Sequence, residues 1–430
     1  MPGSSSASDA AARHEIGPGI TLLLVGVLTG INLVNYLDRY LLPPILPQIR
    51  QRFALDAAQA GWLVSAFFIV YMLTALPVGR LADRWPRKWI IFTGVGLWSA
   101  ATLMSGWAHS YGWLLTARML VGIGEASYGC IVPAVIGDLF PANRRARVLS
   151  VFYAAIPVGA ALGYVLGGYI AAHWGWRNVF YAGALPGLAL SLAVLALPEP
   201  QRGAADTATA AGPAPSPAPG SSWALYKDLL RQPLFMDATL GMAFSTFAMG
   251  ALSVWVPSFL IQSRHMDPVR ANNIFGVFTL ANGIIATLIG GWMGDWRLRT
   301  RPGALYSISA WSLVLGTPIA AFSLFNPHPQ VFLPAMCAGE FFLFLNGGPL
   351  NAAVVNSVPA PIRASALGLN LVLIHLLGDA LSPTLVGWAA DRTGSLSWGM
   401  ALVLPVMLLG AAILFRGARR LNQANAIRIA

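Results

Sequence analysis

The sequence predicts an all-α membrane protein with twelve transmembrane helices arranged as two six-helix bundles. Three observations carry this prediction: the composition, the spacing of the apolar runs, and a short pattern that both halves repeat. Of the 430 residues, 56% are hydrophobic and only 10% are charged, against about 25% charged residues in an average soluble domain. Because so few charges could not cover the surface of a soluble fold, lipid is expected to be the main solvent.

The apolar runs are long enough to cross a membrane, which takes about 20 largely apolar residues per helix. The first six spans are expected at 18–42, 58–82, 88–108, 112–139, 148–172 and 178–198. The second six are expected at 235–262, 271–294, 304–325, 331–357, 364–390 and 396–416. Glycine and proline recur inside these runs, and membrane helices tolerate both where they pack closely or bend.

The segments around the two bundles have a different, more polar composition. We divide the chain into a disordered tail at 1–17, a first bundle at 18–198, a linker at 199–234, a second bundle at 235–416 and a second tail at 417–430. The middle of the linker is rich in Ala, Pro, Gly and Ser and cannot bury a core. Its last part, 223–231, has the pattern of a short amphipathic helix at the membrane surface. No cleavage signature follows the first apolar run, so this run is expected to stay in the protein as a helix.

Arginine and lysine are distributed unevenly among the loops. If the N-terminus lies in the cytoplasm, most basic residues fall on the cytoplasmic side, including the groups at 84–88, 144–147 and 297–301. Cytoplasmic loops carry such an excess, so both termini are expected in the cytoplasm of a multi-pass protein of the cell (inner) membrane. The same bias explains the net charge of +11. Nucleic acid is not expected as a partner, because no dense basic run lies on a separate domain.

The two halves repeat short patterns at matching places. Gly79-x-x-x-Asp83-Arg84 follows the second span and Gly291-x-x-x-Asp295-x-Arg297 follows the eighth, while Gly124-Glu125 recurs as Gly339-Glu340. The glycine permits close helix approach, and the aspartate can bind a helix N-terminus or pair with a basic residue. We therefore expect a cytoplasmic gate formed by Gly79, Asp83, Arg84, Arg147, Gly291 and Asp295. The basic residues Arg87 and Lys88 fit an ordinary orienting loop equally well.

These segments resemble a known family. GRLADRWPRK at 79–88 resembles the signature of the major facilitator superfamily, with Pro86 where that family usually has glycine. Within the superfamily, the Spinster family of lipid transporters is similar in NYLDRY (35–40), RMLVGIGEASYG (118–129), FYAAIPVGAALGYVLGG (152–168) and HLLGDALSP (375–383). The resemblance implies the major facilitator fold and a substrate such as a lysophospholipid or sphingosine-1-phosphate. It also implies proton coupling in some members.

Charged residues inside the spans are candidates for coupling, because each costs about 2.5–3.5 kcal/mol on insertion scales. Asp38 and Arg39 are adjacent on the first span, and Arg118 and Glu125 are seven residues apart on one face of the fourth. We predict that these four form a buried quartet that couples transport to protons, since protonation of one carboxylate would release its arginine. A permanent structural ion network is the alternative, and the sequence does not decide which acid would carry the proton.

The substrate cavity is expected beside this quartet and to include polar residues of the second half. His375 and Asp379 are four residues apart on the eleventh span, and headgroup contact and structural hydrogen bonding fit them equally. Aromatic side chains at this depth fit either lipid contact or packing. The expected cavity residues are Asn35, Tyr36, Tyr128, Tyr153, Pro157, Glu340, His375 and Asp379.

Other classes of function find less support. The histidines show no ligand spacing, and Cys130 and Cys337 are isolated, so no metal site, disulfide or cofactor is expected. The sequence has no phosphate loop for an ATP-driven pump and no nucleophile beside a base for an enzyme. The expected function is secondary active transport of an amphipathic lipid by a monomer, with the bilayer and protons as its other partners. The alternative is proton-coupled transport of a small organic anion or a drug.

Overall fold

The computed structural model describes residues 17–129, 131–140, 142–200, 222–359 and 362–429, and all regular structure in these ranges is helical. The tail expected at 1–17 falls almost wholly outside the described residues, as does the part of the linker at 201–221. The described residues therefore comprise the two bundles and the short helix between them.

The first half consists of helices that match the expected spans in order. They are α1 (Pro18–Phe53), α2 (Ala57–Arg84), α3 (Arg87–Gly106), α4 (Tyr111–Gly129), α5 (Val132–Leu139), α6 (Ala142–Trp174) and α7 (Trp176–Ala196). The helix α8 (Ser222–Arg231) then covers the segment with the amphipathic pattern.

The second half is more often interrupted. Its helices are α9 (Pro233–Ser258), α10 (Pro268–Leu298), α11 (Ala304–Phe325), α12 (Pro329–Leu345), α13 (Gly347–Asn356), α14 (Arg363–Leu377), α15 (Ser382–Thr393), α16 (Leu396–Met400) and α17 (Val403–Ile429). A π-helical turn, Phe259–Ser263, extends α9. The tenth, eleventh and twelfth expected spans are thus each made of two helices, with α14 and α15 separated by a turn that contains Gly378 and Asp379.

Within the described residues, 11 helices are long and apolar enough to cross a membrane, one fewer than the twelve predicted. The missing one is the fourth span, where α4 ends at Gly129 and α5 starts at Val132. The α4 segment carries Arg118 and Glu125 among its 19 residues, which lowers its mean hydropathy. The chain is therefore an all-α multi-pass membrane protein, and the count of twelve stays a prediction for the fourth span.

The first helix runs well past its expected end at residue 42. Pro43, Pro44 and Pro47 lie inside α1, which continues to Phe53. Proline breaks helices in water, but packing against neighbouring helices allows it inside membrane helices. Here Pro44 lies against Gly167 of α6, where a side chain on that glycine would collide with the proline ring.

Helices at matching places in the two halves make matching contacts. In the first half α1 packs against α6 and α7, and α3 against α4 and α7; in the second half α9 packs against α14, α15 and α17, and α11 against α12 and α17. The halves meet where α2 packs against α15 and where α6 packs against α10. Because α2 and α10 hold matching places in the repeat, as do α6 and α15, these contacts are equivalent. This is the arrangement expected of two parallel six-helix repeats.

The halves are held together at one end of the molecule, the end that contains the turns at 54–56, 107–110 and 264–267. We call this the closed end. There the Tyr164 hydroxyl donates to the carbonyl of Ser253 at 2.8 Å, and Gly168 packs against the side chain of Asn272. The guanidinium of Arg50 lies 6.0 Å from the ring centroid of Trp255.

At the opposite end a central cavity opens to the surroundings. Tyr153 of α6 and Leu288 of α10 line this cavity, and their side chains are 48% and 68% exposed. A side chain added at Gly79, close to the end of α2, would meet open space. We call this the open end, and in the topology predicted from the basic residues it faces the cytoplasm.

Candidate functional site

The four charged residues expected in the first bundle lie together in two pairs. Asp38, Arg118 and Glu125 are almost completely buried, at 1%, 2% and 1% exposure. The side chains of Asp38 and Arg39 leave α1 about 100° apart, as neighbours on a helix do, so each meets a different partner on α4. The pairs are Arg39 with Glu125 and Arg118 with Asp38.

The Arg118–Asp38 pair is sealed inside the bundle. Nη1 of Arg118 lies 4.0 Å from Oδ2 of Asp38, and the Thr102 hydroxyl donates to the same oxygen at 2.8 Å. The guanidinium of Arg118 also lies 5.5 Å from the ring centroid of Phe67. Oδ1 of Asp38 and Nε of Arg118 are buried without a hydrogen-bond partner among the described residues. Charge attraction and the hydrogen bond from Thr102 therefore hold the pair more than any direct hydrogen bond between Arg118 and Asp38.

The Arg39–Glu125 pair is tighter and reaches the cavity. Nη2 and Nε of Arg39 donate to Oε2 of Glu125 at 2.5 and 3.2 Å. Arg39 lines the cavity, and its guanidinium lies 4.9 and 5.5 Å from the ring centroids of Tyr36 and Tyr71. Aromatic faces attract a cation, so these rings help to hold the arginine beside the cavity.

The cavity between the halves has a volume of about 760 Å³ and a wall that is mostly apolar. The charged side chains and the histidine on this wall are Arg39, Glu340, Asp379 and His375. A large apolar section is formed by Met249, Leu252, Val256, Leu324, Met336 and Met400. A pocket of this size that combines apolar surface with a few polar groups is suited to a small-molecule ligand.

His375 and Asp379 are within hydrogen-bond distance of each other on the cavity wall. Nδ1 of His375 lies 2.9 Å from Oδ1 of Asp379, and the imidazole stacks on Phe68 with the ring centroids 5.7 Å apart. Arg39 lies over the same Phe68 ring at 5.6 Å. The arginine of the first half and the histidine–aspartate pair of the second half therefore flank one aromatic ring and form a single charged section of the wall.

Glu340 lies apart from this section and has uncharged partners. Its carboxylate accepts hydrogen bonds from the Thr279 hydroxyl at 2.8 Å and from the Asn282 amide at 3.0 Å. None of the ion pairs among the described residues includes Glu340. Thr279 and Asn282 were not among the predicted site residues, although two polar residues three apart inside an apolar run share a helix face and could have marked them.

Most of the residues expected to form the cavity lie on its wall, and two do not. The wall includes Tyr36, Tyr153, Pro157, Glu340, His375 and Asp379. Asn35 and Tyr128 are instead buried within the first bundle. Tyr128 packs edge-to-face on Trp98 and donates its hydroxyl to the Leu28 carbonyl. The expectation for these two residues is corrected, because neither of them lies on the cavity wall.

The expected gate residues lie at the open end, where α2 and α10 finish. A side chain at Gly79 or Gly291 would meet open space, and Arg84 and Asp295 are exposed. The side chains of Asp83 and Arg147 lie outside the described residues. Beside them, Arg87 forms an ion pair with Asp138, and its backbone N–H donates to the Glu199 carboxylate at 2.6 Å. Arg87 is thus more than a basic loop residue.

Comparison with known proteins adds to this description. Residues 28–383 match the Major Facilitator Superfamily. The chain is 34% identical to Protein spinster of Drosophila melanogaster over 375 residues, which is 84% of this chain and 61% of that protein. It is 34% identical to Protein spinster homolog 1 of Homo sapiens over 396 residues, 88% of this chain and 74% of that protein. The chain belongs to the Spinster family of the major facilitator superfamily.

The fold of this Spinster-family chain is also found among solved structures. A bacterial homolog of the human lysosomal transporter Spinster, in an inward-facing and occupied conformation, superposes with a TM-score of 0.80 at 20% identity. The match covers 94% of this chain and 98% of the other. The major facilitator fold and the assignment as a transporter, and not an enzyme, are confirmed. The superfamily match spans both charge pairs and every wall residue discussed above except Met400.

Proposed function

We propose that this Spinster-family transporter moves an amphipathic lipid of the lysophospholipid or sphingosine-1-phosphate type by alternating access, coupled to proton movement. The observation that carries the proposal is that the cavity wall combines the charged section at Arg39, His375 and Asp379 with a large apolar section. A lipid with a charged headgroup and a single chain has the same combination. The headgroup would lie against Arg39 and His375, and the chain along the methionines and leucines of the second half.

The coupling proposal follows from the position of Arg39. The same guanidinium that is bonded to Glu125 lies on the cavity wall. A proton on Glu125 would remove the negative charge that holds the arginine, and its planar fork would then be free to bind a phosphate or carboxylate. The substrate headgroup and the Glu125 carboxylate would thus compete for one arginine. The Asp38–Arg118 pair is a second candidate for the proton, because Asp38 is buried in the same bundle.

The alternating-access proposal is supported by the difference between the two ends. Helix contacts join the halves at the closed end, while the cavity opens at the other end. The two pairs of helices that join the halves are equivalent in the repeat. A rocking motion of one half against the other would therefore open one end as it closes the other.

Transport by the purified protein tests the proposal. Proteoliposomes with an imposed pH gradient should accumulate a fluorescent lysophospholipid above the level of protein-free liposomes, and a protonophore should abolish the difference. Hydrogen bonds to charged groups contribute about 1.5–3 kcal/mol, so Arg39→Ala should lower the initial rate by about tenfold or more. Arg177→Ala is the matched control, because this arginine bonds to the Ala108 carbonyl outside the cavity and its loss should leave the rate unchanged.

Two results would contradict the proposal. Lipid uptake at the same rate with and without the pH gradient would contradict the proposed proton coupling. Gradient-driven uptake of small organic anions without uptake of the lipid would favour the alternative substrate class.

A further inference from the structure

The closed end contains a charged contact between the halves that the cytoplasmic gate prediction does not include. Oδ1 of Asp391, at the end of α15, accepts a hydrogen bond from the backbone N–H of Ala57 at 2.9 Å. Oδ2 of the same carboxylate accepts from the N–H of Ala58 at 2.9 Å. Ala57 and Ala58 are the first two residues of α2. A carboxylate of the second half therefore caps a helix of the first half.

Each of the free N–H groups at the N-terminus of α2 has a hydrogen-bond acceptor, either in this contact or in one other. The first four N–H groups of a helix have no partner within the helix. Those of Ala57 and Ala58 go to Asp391, that of Gln59 goes to the side chain of Asp56, and that of Asp56 goes to the side chain of Gln59. Two of the four donors thus depend on the other half, and separation of the halves would leave them without this acceptor.

The surrounding packing allows the contact. A side chain at Gly387 would collide with the Ala57 carbonyl, and one at Gly61 would collide with the backbone at Pro383. The hydroxyls of Ser65 and Thr384 lie 2.8 Å apart further along the same interface. Glycine therefore allows α2 and α15 to pack closely, and Asp391 lies at the closed end of this interface.

The sequence around Asp391 repeats the cytoplasmic gate pattern. Gly387-x-x-x-Asp391-Arg392 has the same spacing as Gly79-x-x-x-Asp83-Arg84. The first segment lies at the closed end with its glycine packed on α2, and the second lies at the open end with its glycine in open space. One pattern thus occurs at both ends of the α2–α15 interface, once on each helix.

We propose that Asp391 is a latch residue that favours the state closed at this end, and that its two hydrogen bonds to α2 break each time this end opens. The inference rests on alternating access as proposed above, but it requires neither a lipid substrate nor a proton. A helix N-terminus attracts a carboxylate through its free N–H groups and its dipole. The latch stabilises the state that is closed at this end, and it does so without contacting the cavity.

The test measures the separation of the halves at this end. Nitroxide labels on His109→Cys and His328→Cys, in a background with Cys130→Ala and Cys337→Ser, report the distance across the closed end in nanodiscs without substrate. Loss of a helix cap destabilises the capped state by about 0.5–2 kcal/mol. Asp391→Ala should therefore raise the ratio of long to short label-to-label distances, which is the ratio of open to closed molecules at this end, by about 2- to 30-fold. Asp391→Asn, which keeps one acceptor oxygen without the charge, should give a smaller rise and covers the case in which the alanine variant does not fold.

Asp56→Ala is the matched control, because Asp56 caps the same helix from within its own half. It should lower the thermal midpoint but leave the distance ratio unchanged. An unchanged ratio in both Asp391 variants would overturn the latch, and so would an equal rise in Asp56→Ala. Failure of the wild type to transport lipid would contradict the proposed substrate and would leave these distances to decide the latch.

Discussion

The two halves repeat a glycine–glutamate pair, yet the two glutamates have different surroundings. Glu125 on α4 is bonded twice to Arg39, whereas Glu340 on α12 accepts hydrogen bonds from the uncharged Thr279 and Asn282. The repeat therefore sets the place of a carboxyl group in each half. The helices packed against it decide whether that group belongs to an ion pair or to a neutral network.

This difference suggests that the halves have different tasks. The first half contains two arginines and two acids in contact, and a change of charge on either acid would alter the attraction between α1 and α4. In the second half, the corresponding acid lies on the wall of the cavity beside a large apolar section. We interpret the first half as the part that responds to protons and the second half as the part that holds the chain of the substrate.

The largest expected effect is on the sealed pair of the first half. Arg118→Ala removes the cation that faces Asp38, and loss of one partner of a buried pair destabilises a protein by about 3–5 kcal/mol. The midpoint of thermal unfolding in detergent should fall strongly. The double variant Asp38→Asn/Arg118→Ala removes both charges and should recover much of the loss. Equal midpoints for the single and double variants would show that Asp38 does not depend on Arg118.

A smaller loss of stability is expected at two matched threonines, one in each half. The Thr102 and Thr279 hydroxyls each donate to a carboxylate at 2.8 Å, and valine replaces the hydroxyl with a methyl group of similar size. Thr102→Val should destabilise by about 1.5–3 kcal/mol, because the bond goes to a charged group that is sealed from water. Thr279→Val should cost about 0.5–1.5 kcal/mol, because Thr279 lines the cavity, where water can replace the hydroxyl. Equal losses in calibrated unfolding measurements would remove the distinction between the two environments.

Much of the fold follows from the sequence because apolar runs and helix periodicity act locally. The ninth span was expected at 304–325 and α11 covers Ala304–Phe325. The shared face of Arg118 and Glu125 follows from their spacing of seven residues. Spacing cannot state which arginine meets which acid, since that depends on the rotation of α1 against α4. It also could not show that the side chain of Tyr128 turns to the carbonyl of Leu28.

Contacts to the backbone are the least visible in the sequence. Asp391 binds the N–H groups of two alanines. The pattern Gly387-x-x-x-Asp391-Arg392 marks the aspartate, but no side-chain pattern marks the alanines as its partners. The turn that separates α14 from α15 brings Asp379 next to His375 as a helix would, so the sequence spacing predicted the contact although the helix itself ends at Leu377. Thr102 was missed because a single threonine in an apolar run has many ordinary explanations.

The central claim is that the first half couples transport to protons through its ion pairs. The most direct test measures the initial rate of lysophospholipid uptake against the imposed pH gradient for the wild type, Asp38→Asn, Glu125→Gln and Glu340→Gln in proteoliposomes. We expect Glu125→Gln, Asp38→Asn or both to lose most of the response to the gradient while substrate binding is retained. Glu340→Gln, which keeps an acceptor for its neutral donors, should retain the response. An unchanged response in both Asp38→Asn and Glu125→Gln would contradict the claim and leave the four charges as an architectural network.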